Sequence, residues 1–167
     1  MELYFRDNFF NAGSSDIMDA EGNHAGSLDL RSAFGSGLDV YNGQGLKMCA
    51  GEFPFFSNKW HITTADDCEL GVLRARMSFL KKKYEYDSGG RGIYEIVSPA
   101  FSNEYAVLDE DENEVASFAK ISGWLHPGAF CLNNQSQHLD HYELIAIVMG
   151  VHAIQKRQNA SIAGSTN

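Results

Sequence analysis

The stretch DEDENEVASF, residues 109–118, sets out oxygen ligands in the order of a calcium loop, with Asp109, Asp111 and Asn113 at positions 1, 3 and 5. Such a loop also needs Gly at position 6 for its sharp turn and a bidentate Glu at position 12. Those positions hold Glu114 and Lys120, and a cation at position 12 opposes a bound ion. His138 and His141 stand three apart with Asp140 and Glu143 beside them, a spacing that shares one helical face and hints at a weak metal site. No third and fourth ligand at metal spacing follows, so surface polarity at a helix start is the better reading. His152 sits in an apolar run and is expected to be a core histidine with its ring nitrogens satisfied internally. The chain carries no nucleophile elbow, Walker loop, paired-histidine zinc motif or dinucleotide fingerprint. No catalytic residue, metal or cofactor is therefore expected.

A second group of residues bears charge rather than chemistry. The net charge is −9, yet Arg74, Arg76, Lys81, Lys82 and Lys83 place five of thirteen basic residues within ten positions. On strands, residues two apart share a face, which pairs Arg74 with Arg76 and Lys81 with Lys83 across a turn at Ser78 to Leu80. Met77, Phe79 and Leu80 add apolar tips. Such a surface suits an anionic lipid headgroup, each charge contributing about 1 kcal/mol near an acidic membrane. The plain alternative is a solvated strand pair, or one neutralised by acidic tips such as Asp109 to Glu112. An acidic chain with no interleaved basic and aromatic surface argues against nucleic acid.

The elements that carry these residues follow from an internal repeat. Ten-residue windows of similar type begin at Asp19, Asn42, Thr64, Asp87 and Asp109. The fourth position of each is Gly22, Gly45, Asp67, Gly90 or Glu112, types that suit tight turns. Two residues before each window lie Ile17, Val40, Ile62, Glu85 and Val107, apolar in all but one. Apolar run, turn and second run is a hairpin pattern, so the calcium-like stretch reads as the tip of a fifth hairpin. Residues 54–73 also align without a gap on residues 99–118, so the larger unit is a pair of hairpins. With one strand before the series (Glu2 to Asp7) and one after it (Ala129 to Leu132), about twelve strands form one mainly β domain.

Residues 138–158 break the pattern. Asp140 suits an N-cap, Glu143 the first turn, and Lys156 and Arg157 the last. From Leu144 to Ile154 only His152 is polar. A helix apolar all round must be buried all round or lie in a membrane, and eleven residues rise only about 16 Å against a hydrocarbon core of about 30 Å. The expected organisation is a β-barrel over residues 1–158 enclosing a central helix at 138–157, with a flexible tail at 159–167. Cys49, Cys68 and Cys131 are unpatterned and expected to be buried reduced thiols. With no apolar leader at the start, the expected location is the cytoplasm, peripheral to a membrane where the basic cluster engages lipid.

The hairpin series, above all SDIMDAEGNHAGSL, KWHITTADDCELGVLRARMSFLKKKYEY and YAVLDEDENEVASFAKI, together with the final HYELIAIVMGVHAI, resembles the bacterial branch of the LURP-one-related proteins. Those proteins share the tubby C-terminal-like fold with tubby proteins and, more distantly, phospholipid scramblases. The resemblance implies a barrel of twelve antiparallel strands around a hydrophobic helix. It points to phosphoinositide-type headgroups met by basic side chains, and maps no family residue onto this chain. The favoured function is a non-enzymatic binding module for anionic phospholipid headgroups or a protein partner. The alternatives are a scramblase-like lipid handler, which would need the helix in the bilayer, and an enzyme whose polar pocket brings His61, His126 or His152 to a carboxylate.

Overall fold

The computed structural model describes residues 1–11, 13–31, 37–77, 82–98, 104–121 and 129–164, apart from the side chains of residues 7, 8 and 164. Its strands are β1 (Glu2–Phe5), β2 (Gly13–Met18), β3 (His24–Leu30), β4 (Gly37–Asn42), β5 (Lys47–Glu52) and β6 (Trp60–Thr64) in the first half. The second half supplies β7 (Glu69–Arg76), β8 (Lys82–Asp87), β9 (Ile93–Ser98), β10 (Tyr105–Leu108), β11 (Glu114–Lys120) and β12 (Phe130–Asn134), then helix α1 (His141–Gly164). Each strand pairs antiparallel with its neighbours in sequence, and β1 pairs with β12 to close a twelve-stranded barrel. Closure leaves no strand with an unpaired edge.

The five repeats are the hairpins β2–β3, β4–β5, β6–β7, β8–β9 and β10–β11. In four of them the residue opening the window holds the tip. Asp19, Asn42 and Asp109 each accept two backbone N–H bonds through Oδ1, from residues two and four further on. Thr64 Oγ1 accepts one, from Cys68. These bonds hold the Asp109 carboxyl below its ordinary range, chiefly through the Asn113 backbone N–H. The calcium-like order thus serves a turn: Asp109 bonds its own backbone. The fourth window position takes positive φ at Gly22, Gly45, Asp67 and Glu112.

The fourth hairpin departs from this scheme, and the exception at Glu85 has a physical cause. Its closing bond runs from Ser88 N to Gly92 O, so the repeat begins at Ser88, one residue later than the sequence pattern suggested. The residue two positions before is then Tyr86, fully buried like Ile17, Val40 and Ile62, and Glu85 faces outward. The tip itself is a turn of 3-10 helix at Gly89–Arg91, with positive φ at Gly89 and Gly92.

Inward residues of all twelve strands join one buried core with α1, whose Leu144 to Met149, Val151, Ala153 and Ile154 are buried. The helix fits closely where small residues admit it. A Cβ on Gly150 would lie 2.4 Å from Trp60 Cδ1, and one on Gly51 of β5 would lie 2.6 Å from Trp60 Nε1. The indole is therefore wedged between two glycines. The helix begins at His141 rather than residue 138 and runs to Gly164, so residues 159–164, expected as tail, extend it. Within this extension Ser161 Oγ donates back to Arg157 O at 3.0 Å. Among the described residues no helix is long and apolar enough to cross a membrane.

Cys49 is buried, as expected, and burial pushes its thiol well above the usual range. Cys68 instead is exposed, because it belongs to the third hairpin tip. His152 corrects another expectation: its Nδ1 is buried with no hydrogen-bond partner among the described residues, and its ring lies against Phe10, with centroids 4.4 Å apart. Burial, with Lys156 nearby, lowers its pKa from 6.5 to about 4. The unfolded chain takes up this proton below pH 6.5 and the folded chain does not until about pH 4. Stability therefore falls as pH falls through that window. Urea unfolding at pH 7 and pH 5 should show His152→Leu losing about 2 kcal/mol less than wild type. Equal losses would remove His152 as a source of acid sensitivity.

Candidate functional site

Alternation and antiparallel order sort the connections by end. The five hairpin tips lie at one end, where α1 begins, and the links between hairpins lie at the other, where α1 leaves. At the tip end, Glu143 is buried beneath the irregular fourth hairpin. Arg91 Nη1 and Nη2 donate to its two carboxylate oxygens at 2.7 and 2.8 Å, and Tyr86 donates to the same carboxylate. Arg91 also donates to the carbonyls of Leu70 and His138 at 2.6 and 3.2 Å. Burial, and then the Glu143 carboxylate, raise the Tyr86 hydroxyl far above its ordinary value, so it stays a donor. This closes one mouth of the barrel.

The other end is cationic and open. A groove of about 730 Å³ lies where the last turns of α1 emerge, and Lys59, Arg74, Lys82 and Arg157 line it. Phe53, Ile154 and Ile162 supply apolar walls, and among the described residues no carboxylate lines it. Lys59 and Lys82 make no ion pair among the described residues. Arg157 is held by its donation to Ser57 O at 2.8 Å and by stacking over the Phe53 ring, 4.3 Å from its centroid.

The basic cluster expected from the sequence is divided by the strands. Arg74 and Arg76 do share the outer face of β7, but both turn to Glu85 on β8, Arg76 Nε at 3.1 Å. Lys83 pairs with Glu95 on β9 at 2.7 Å. Arg76 and Lys83 thus border an outer groove of about 570 Å³ whose other walls include Glu85, Glu95, Asp109 and Glu112, a poor site for an anion. Their partners are strand neighbours rather than the acidic hairpin tip. Lys82 has the opposite parity and joins the cationic groove, together with Arg74 from the outer face. Lys81, Phe79 and Leu80 lie outside the described residues.

Sequence reasoning missed Lys59 and Arg157. Neither belongs to a run of charge, and Arg157 reads equally well as a helix-end cation. Only barrel closure around α1 brings them beside Lys82. The histidines disperse: His61 Nδ1 lies 2.8 Å from Glu69 Oε2 on neighbouring strands, outside the barrel; His141 lies 3.5 Å from Asp140; His126 is outside the described residues. Among the described residues no three His, Cys, Asp or Glu side chains gather in a group that would hold a metal ion.

Fold and groove together define a closed twelve-stranded antiparallel barrel around a single C-terminal helix, cationic where the helix leaves. This is the architecture that the tubby-like resemblance implied. The crystal structure of a LURP-one-related protein of Arabidopsis thaliana has the same fold, with a TM-score of 0.61 over 92% of this chain and 90% of that one, at 12% sequence identity. No family profile matches the sequence, and no curated protein matches it.

Proposed function

We propose that the protein is a non-enzymatic binding module, distantly related to the LURP-one-related proteins, whose ligand is the phosphorylated headgroup of an anionic phospholipid. One observation carries the reading: in a chain of net charge −9, Lys59, Lys82 and Arg157, with the Glu85-paired Arg74, line one groove, and no carboxylate among the described residues lines it. Low-dielectric walls concentrate the field of such a groove, and phosphate oxygens match both the fork of Arg157 and the point charges of Lys59 and Lys82. The site residues are therefore Lys82 from the sequence-marked cluster, with Lys59 and Arg157 added; Arg74 lines the groove while paired with Glu85, and Arg76 and Lys83 are assigned to ion pairs away from it. The barrel would work at the cytoplasmic surface of a membrane.

The test is co-sedimentation with vesicles of phosphatidylcholine alone or with phosphatidylserine, at low and physiological salt. Lys59→Ser with Lys82→Ser should remove about 2 kcal/mol of salt-sensitive binding to anionic vesicles. Arg76→Ser with Lys83→Ser should leave that binding nearly unchanged. Equal losses in the two variants would show a diffuse charge effect in place of a groove, and no binding by wild type would end the lipid reading.

A further inference from the structure

The link between β5 and β6 carries two aromatic rings into solvent. Phe55 is 88% exposed and Phe56 94%, with centroids 4.2 Å apart. The turn is built rather than slack: Ser57 N donates to Pro54 O at 3.0 Å, Lys59 N donates to Ser57 Oγ at 3.0 Å, and Arg157 reaches from the helix to Ser57 O. Phe56 adopts a φ of +62°, a conformation that disfavours a bulky side chain. Glycine would relieve that cost, and the exposed ring packs on no core residue in return. Phe53 and Asn58–Lys59, on either side of the turn, line the cationic groove. One more apolar side chain that lines the groove, Ile162 on α1, is 69% exposed.

Resting on the headgroup reading above, we infer that the Phe55–Phe56 turn inserts into the acyl boundary of an anionic bilayer while the groove beside it holds a headgroup. Charge complementarity selects the occupant. Exposed aromatics beside Lys59, Lys82 and Arg157, with no carboxylate among the groove's described lining residues, match a surface that is negative outside and apolar beneath, and weak insertion combined with charge gives stable anchoring where neither does alone. The acidic tips at Asp19, Asp66, Asp67 and Asp109 to Glu112 then face away, which orients a net-negative protein on a negative surface.

Three measurements test this on the full chain. The first is partition of wild type and a Phe55→Ser, Phe56→Gly variant into phosphatidylserine-containing vesicles. The second is binding of inositol hexakisphosphate, a soluble polyphosphate. The third is quenching of a Phe56→Trp probe by lipids brominated in the acyl chain, with the wild-type tryptophans as reference. The aromatic variant should bind the polyphosphate as wild type does and partition about tenfold more weakly, and the probe should be quenched. Unchanged partition and an unquenched probe would overturn insertion and leave the headgroup reading standing. Insertion equal in neutral vesicles and insensitive to Lys59→Ser with Lys82→Ser would support the turn and overturn the headgroup reading. A wild-type dimer that the aromatic variant abolishes, with no vesicle binding, would assign the rings to a second copy of the chain and overturn the inference.

Discussion

A chain ended before Leu144 should form no folded barrel. Leu144, Ile145, Ile147, Val148, Met149, Val151 and Ile154 are all buried within the strands, and each such side chain contributes about 1.5–3 kcal/mol. Together, at about 10–20 kcal/mol, they match or exceed the about 5–15 kcal/mol by which a whole domain is stable. The loss does not end with the helix. Trp60, Leu73, Tyr84 and Tyr86, buried in the intact chain, would line a void too wide for strand side chains to fill. The measurement is near-ultraviolet circular dichroism with thermal melting of the truncated chain. A soluble sheet that melts cooperatively would show the helix to be peripheral and would sink the barrel-core account.

Replacing Arg91 with alanine should destabilise the protein by about 3–5 kcal/mol, because it strands a buried carboxylate. The Glu143 side chain is 3% exposed, and without Arg91 only Tyr86 among the described residues still donates to it. Glu143→Gln should cost less: the amide oxygen keeps an acceptor for Tyr86, and Arg91, 32% exposed, regains water. Arg91→Lys should fall between, since a single ammonium cannot reproduce the paired bonds. Urea midpoints for the two single variants and Arg91→Ala with Glu143→Gln would give the coupling directly. A coupling under about 0.5 kcal/mol would place this pair with ordinary surface bridges.

The sequence makes the barrel legible because hairpin chemistry is local. Asp19, Asn42, Thr64 and Asp109 bond backbone within four residues of themselves, and Ile17, Val40, Ile62 and Val107 point inward by simple alternation. The fourth hairpin was misread by one residue for an equally physical reason. Its glycines imitate the repeat, while its turn is committed to presenting Arg91 to Glu143 some fifty residues away, a partnership with no local trace. The groove was half legible. A run of charge marks Arg74 and Lys82, yet strand parity sends Arg76 and Lys83 to carboxylates, and register cannot be read from composition. Lys59 and Arg157 gain meaning only once the chain closes. His152 shows the converse: an apolar run implied a satisfied ring, and packing against Phe10 left one nitrogen without a partner.

Chain order has a consequence for how this domain is made. The first strand pairs with the last, and the helix that the strands enclose follows all twelve of them in the chain. Every earlier hairpin emerges with an inward apolar face and no helix to pack it on, so local turns form early while the closed structure waits for α1. Such a topology closes only once the helix has emerged, with long-range pairing as its limiting step, and its nascent strands expose apolar surface until then.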